Sequence, residues 1–426
     1  MLRPFRSFRP FHHGASLLIL ALTVVSPALA AAAPAPGGKA PMPIAAVTPP
    51  PGNTPGACIF PTTIVGGFAQ TAWMLFVAAN CPTKTSQLVW ETWIEQTQLY
   101  PPASGGGGGV TVAQGAGSGR LHASPLARAT SAIAATGVTS TARAVGSTLM
   151  SGHGAGKVVN LDPGSQCNTM QSPPSNVVKG ATVCEEVHVN PAAEAFIQGA
   201  GYQLRSGQIK AANLGTDIQF PIPSVEVKVD WIPATDFNPP FTCAKPPAGV
   251  HVETIDGACY AMGGIHILSK VMPNWLWVTF EPQNLQTNPN RCITFGECND
   301  PYGSNPAISH GGVTALTSEV ETLMTQAGLA PEFFNYRLDG IQVDFGTTEN
   351  PSILGNSIIE GENAGLNATN SSCITCHSVS SIGKDGTDGF DFLNNQVGPQ
   401  YVPPANYIAR DFVWSLALAC PGGLCP

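Results

Sequence analysis

The run SSCITCHSVS, residues 371–380, carries two thiols three positions apart with a histidine directly behind the second. On one helical turn, Cys373 and Cys376 reach the two vinyl groups of a haem as thioethers and His377 then points at the iron. The spacing therefore predicts covalent attachment of one haem c. Other chemistries use the same residue types. A redox-active Cys-x-x-Cys disulfide wants a strand before the motif and a helix after it, whereas the preceding ENAGLNATNS is small and polar. Zinc wants a second ligand pair, and no second Cys-x-x-Cys occurs in the chain. A plain structural disulfide between Cys373 and Cys376 is the remaining alternative.

With His377 as proximal ligand, the other side of the iron decides the function. No methionine follows His377, so a distal ligand comes from upstream, from His188, His251, His266, His310, Met262, Met272 or Met324. His266, in the segment GGIHILS, has the best context; the alternative for it is a sheet histidine satisfied by its neighbours. Two strong protein ligands confine the iron to electron transfer, and the protein is then a carrier that docks a redox partner protein. An open sixth position admits peroxide, oxygen or a small gas, and the protein is then a peroxidase or oxidase-like haem enzyme. That enzyme needs an acid–base group on the distal side, for which Arg337 and Arg410 are candidates. Haem as a sensor or a structural plug is a third class.

Other patterns carry little chemistry. SGHGAGK (151–157) lacks the strand and spacing of a phosphate loop and reads as linker. DGTDGFD (385–391) lacks the ligand order of a calcium loop and reads as a solvated turn. The sequons at Asn367 and Asn370 carry little weight as glycosylation sites.

The rest of the chain sets where that chemistry takes place. Arg3, Arg6 and Arg9 precede an apolar run from Leu17 to Val25 and then Ala28-Leu29-Ala30, the pattern of a Sec-type signal peptide over residues 1–30. The expected location is periplasmic or secreted, and no later segment approaches the roughly 20 apolar residues of a membrane span. Cleavage removes three positive charges and takes the net charge from −8 to −11, which argues against nucleic acid as a partner. An oxidising compartment lets cysteines pair. Apart from the motif, ten remain and fall into neighbours: Cys58 with Cys81, Cys167 with Cys184, Cys243 with Cys259, Cys292 with Cys298, and Cys420 with Cys425.

Residues 31–57 read as a disordered leader, and 101–157, with five consecutive glycines at 105–109, as a flexible insertion. Between them TAWMLFVAANCP (71–82) and SQLVWETWIEQTQLY (86–100) have helical spacing. CEEVHVN (184–190) alternates like a strand, and Asn190-Pro191 then opens a short helix through Phe196. SVEVKVDWI (224–232) puts Val225, Val227, Val229 and Trp231 on one face of a strand. GGIHILSKVMPNWLWVTFEP (263–282) reads as two strands and FFNYRLDGIQVDF (333–345) as another. Residues 314–327 form a helical stripe closed by Gly328. The fold class is α+β: a mixed, largely antiparallel sheet body over 58–345, followed by a haem-binding, cytochrome c-like helical portion over 346–426. Phe390, Phe392, Tyr401, Tyr407, Phe412 and Trp414 are candidate haem-pocket aromatics, and 411–420 a helix packed on the haem.

The segments WMLFVAANCP (73–82), VWETW (89–93), GIHILSK (264–270), WLWVTFE (275–281) and SCITCH (372–377), taken together, resemble the large monohaem cytochrome c family proteins of Gram-negative bacteria. The resemblance spans most of the chain outside the Gly-rich insertion. It implies covalent haem c and a periplasmic or secreted location, and no substrate. Where such proteins carry a histidine after Thr279-Phe280-Glu281, this chain has Pro282.

Overall fold

A computed structural model describes residues 56–100, 167–170, 173, 176–283, 300–303, 315–347, 350, 352–356, 358, 360, 371–389 and 398–419. All of them lie in one compact unit, Pro43–Pro426. The expected signal peptide, the leader up to residue 55, the Gly-rich insertion, the pairs Cys292–Cys298 and Cys420–Cys425, His310, Phe390 and Phe392 fall outside the described residues.

In chain order the elements are α1 (Phe68–Ala79), β1 (Ile94–Glu95), α2 (Gln96–Leu99), β2 (Cys167–Thr169), β3 (Thr182–Val189), α3 (Pro191–Ala200), α4 (Arg205–Leu214), β4 (Val225–Pro233), β5 (Val252–Ile255), β6 (Ala258–Ser269), β7 (Leu276–Pro282), α5 (Ser318–Ala327), β8 (Tyr336–Gln342), α6 (Cys373–Ser378), β9 (Ser381–Gly383) and β10 (Tyr407–Ala409). Eight strands make one sheet in the order β1-β3-β4-β6-β7-β8, with β2 beside β3 and β5 beside β6, and every pairing is antiparallel. β9 and β10 pair separately. The fold is thus mixed, with helices around a large antiparallel sheet. No helix among the described residues is long and apolar enough to cross a membrane.

The period of two along β4 decides what each face does. Val225, Val227, Val229 and Trp231 join Ile265, Ile267, Val278, Phe280 and Leu338 under α1 and α5, where Phe76 stacks on Phe280 at 4.4 Å. The opposite face is covered by α3, α4 and the C-terminal segments. There Leu268 and Trp277 share an apolar cluster with Ile197, Ile374, Ile408 and Leu416. Residues 352–356, 358 and 360 cross this second face too, and they lie so close to it that Gly264 and Gly340 have no room for a larger residue. A Cβ on Gly264 would stand 2.8 Å from Asn356 Nδ2, and one on Gly340 would stand 2.7 Å from Leu354 Cδ1.

Three of the expected disulfides are formed: Cys58–Cys81, Cys167–Cys184 and Cys243–Cys259. The continuous helix expected over 86–100 is not. Trp90–Thr92 makes a 3-10 turn, and Ile94 and Glu95 are drawn into pairing with Val189 and His188 of β3. Glu95 then accepts from Thr97 N and starts the four-residue α2. The helix expected over 411–420 is only a 3-10 turn, Trp414–Leu418. Asp411 and Phe412, at φ 51° and 69°, stand outside the right-handed helical region and cannot begin it.

Candidate functional site

α6 is the motif itself. Its start is fixed from two sides: Ser372 Oγ accepts from Thr375 N at the N-cap, and Gln342, at the end of β8, reaches across from the sheet. Gln342 Oε1 accepts from Ile374 N (2.8 Å), while its Nε2 donates to Ser352 O and Ser372 Oγ, both at 3.0 Å. Leu354 and Ser372 form a parallel bridge, which sets the motif beside the segment crossing the sheet.

Cys373 and Cys376 are both unpaired thiols one turn apart, so the motif is not a structural disulfide here. Burial pushes the Cys373 thiol well up and Cys376 up to about 11, with Glu360 adding to both. A redox Cys-x-x-Cys needs a stabilised thiolate, and these thiols have the opposite bias. The motif opens α6, with Cys373 as its first helical residue.

His377 is held edge-on between two indoles, with Trp277 at 4.7 Å and Trp414 at 5.8 Å between ring centroids. Its Nδ1 donates to the carbonyl of Phe412 at 2.8 Å, which leaves the proton on Nδ1 and a lone pair on Nε2. Nε2 has no hydrogen bond among the described residues. Burial lowers the His377 pKa to about 4, so the imidazole is neutral. Phe412 itself stacks near Phe345 (6.0 Å) and meets Trp277 edge-on at 6.1 Å.

Among the described residues, His266 is the upstream ligand candidate that gathers beside the motif. It stands on the second face of β6, paired with Lys228 of β4 and Thr279 of β7. One donor atom each of His266, Glu360 and Cys373 lie within 4.8 Å of one another. His266 Nε2 is 3.8 Å from Glu360 Oε1, too far for a hydrogen bond, and is buried without one. Burial, with Lys228 and His377 nearby, holds its pKa well below the ordinary imidazole value. Burial raises Glu360 to about 7 and pushes Asp230, whose two carboxyl oxygens are also without hydrogen-bond partners, well up. A polar band of His266, Glu360, Asp230 and Lys228 therefore runs along the sheet beside the motif.

His188, His251, Met262, Met324, Arg337 and Arg410 are used elsewhere. His188 lies between Glu186 (Nε2 to Oε1, 2.7 Å) and the Trp93 carbonyl on the opposite side of the sheet. His251 bridges Glu253 and Glu332 at 3.1 and 3.3 Å. Met262 and Met324 belong to the core under α1 and α5. Arg337 donates to the carbonyls of Phe334 and Tyr336, and Arg410 to Gln208 while ion-paired with Asp388. Asp388 also pairs with Arg205, so the aspartates after the motif include one already committed to arginines. Sequence reasoning missed Glu360, Gln342 and the Phe412 carbonyl; a backbone acceptor has no signature in residue type. The chain matches no protein-family model, no curated protein and no solved structure.

Proposed function

We propose that the chain is an exported monohaem c-type cytochrome acting in electron transfer, with Cys373 and Cys376 holding the haem and His377 as its proximal ligand. The observation that carries the reading is the state of His377. A half-buried, neutral imidazole, oriented by a carbonyl on Nδ1 and keeping Nε2 without a hydrogen bond among the described residues, directly follows a pair of unpaired thiols. The residues present fit the group. Trp277, Trp414, Phe412 and Phe345 supply apolar faces, and His266 Nε2 is a buried polar atom without a hydrogen bond among the described residues. Haem, when bound, supplies one-electron chemistry; the protein's part is to fix ligand geometry, exclude water and set the polarity around the iron. His266 is the candidate for the distal side, and the three disulfides suit an oxidising compartment.

The test is coexpression with a haem-attachment system and the pyridine haemochrome spectrum of wild type and of Cys373→Ala/Cys376→Ala. Wild type is expected to show a thioether haem and the double variant none; a haem-free wild type refutes the reading. Cyanide and carbon monoxide then separate the two haem functions. An unperturbed low-spin spectrum supports the electron carrier, and ligand-induced shifts support the enzyme with an open distal site.

A second reading rests on the convergence of His266, Glu360 and Cys373, a nitrogen, oxygen and thiol donor set of the kind that binds zinc. Sequence spacing argued against zinc for want of a second cysteine pair, and the fold supplies a histidine and a glutamate instead. Stoichiometric zinc in a haem-free protein, lost in His266→Ala, would favour it.

A further inference from the structure

Resting on the haem reading, we propose that Lys270 and Asp411 are positioning residues: their buried ion pair holds the backbone at 411–412 in the conformation that aims the Phe412 carbonyl at His377 Nδ1. Five non-glycine residues among those described have positive φ, and Trp275, Asp411 and Phe412 are three of them. Two in succession, the second an aromatic, form a backbone that ordinary L-residues avoid unless their surroundings impose it. The surroundings are on the page. Lys270 Nζ donates to Asp411 Oδ1 and to the Pro273 carbonyl, both at 2.6 Å, and lies 5.6 Å from the ring centroid of Trp275. Asp411 Oδ2 accepts from Phe220 N at 2.7 Å. On either side, Arg410 N donates to Ser380 O and Ser380 Oγ to Val413 O, while Ser380 N donates to His377 O. The strap at 410–413 and the motif helix are therefore registered to each other.

A buried ion pair is weak evidence for stability, and its better-attested use is to specify one arrangement. Here the arrangement is a hydrogen bond to the imidazole that would donate to iron. Such a bond raises ligand basicity and favours the ferric state. Without the pair, the carbonyl swings away, the imidazole becomes a weaker donor and the reduction potential rises.

The experiment uses the holoprotein from a host that attaches haem. Asp411→Asn and Lys270→Gln each remove a charge and keep hydrogen-bonding shape; Glu321→Gln, on the exposed side of α5, is the control. The readouts are reduction potential and the solvent exchange of the His377 Nδ1 proton by NMR. Both variants are expected to shift the potential positive and to exchange that proton about tenfold faster, as loss of one good hydrogen bond implies; the control stays at wild type. Variants with wild-type potential and exchange overturn the proposal even if they melt earlier, because a merely structural pair behaves that way. Should neither variant load, wild type decides: slow exchange of the Nδ1 proton supports the proposal and exchange as fast as in free imidazole overturns it. A wild type that binds no haem refutes the underlying reading instead, and the proposal falls with it.

Discussion

Of the two ring nitrogens of His377, only the one that the haem reading proposes for iron was legible in the sequence. The motif spacing suggests that role, but the partner that fixes the tautomer is the main chain of Phe412, thirty-five positions away. The same limit hid Glu360, which stands in a segment without pattern and becomes a site residue only because residues 352–356, 358 and 360 cross the sheet. His266 was legible as a candidate because it lies in a segment that carries the family resemblance, and the fold does bring it to Cys373. His251 shows the opposite outcome, a candidate used for another purpose. Burial alone would lower its pKa, but its bonds to Glu253 and Glu332 reverse this and raise it to about 9. A histidine raised in the folded state contributes stability that is complete below pH 6.5 and lost as pH rises through about 9. The stability difference between wild type and His251→Gln is therefore expected to shrink over that interval, by about 2–3 kcal/mol once partial exposure of Glu332 is allowed for. Urea titrations at several pH values check it; a difference independent of pH would contradict the charged triad.

At the scale of elements, alternation was the reliable guide. The strand at 225–233, with its four-residue apolar face, and the two strands either side of Lys270 stand where the period of two puts them. Helix reading failed where side-chain bonding and strand pairing competed with it, as at Glu95, and where backbone conformation forbade it, as at Asp411 and Phe412. The seating of α6 depends on one buried side chain from β8. Gln342→Ala leaves the amide of Ile374 without its acceptor, while the Ser372 hydroxyl keeps Thr375. It is expected to cost about 1–3 kcal/mol and to reduce haem incorporation without changing the bound spectrum. Equal incorporation at equal expression would show that α6 is seated by its other contacts. Gly264→Val tests the crossing segment: its side chain collides with Asn356, and destabilisation of about 1–3 kcal/mol is expected from thermal melts.

Across the whole molecule, one sheet separates two kinds of packing. One face is a conventional aromatic and aliphatic core under α1 and α5, in which Phe76→Ala is expected to cost about 3–5 kcal/mol by denaturant unfolding. The other face carries apolar clusters at its ends with a band of buried ionisable groups between them, beside the two thiols. That band was not legible in the sequence, because its members come from β4, β6 and a loop more than ninety residues further on, and only strand register unites them. Buried polar groups of this sort cost stability wherever they lack hydrogen-bond partners. The most direct test of the central claim is the intact mass of the mature protein made alongside a haem-attachment system. The account predicts a mass exceeding that of the bare chain by one haem, surviving denaturation and lost in Cys373→Ala/Cys376→Ala; a wild-type mass equal to the bare chain would contradict it.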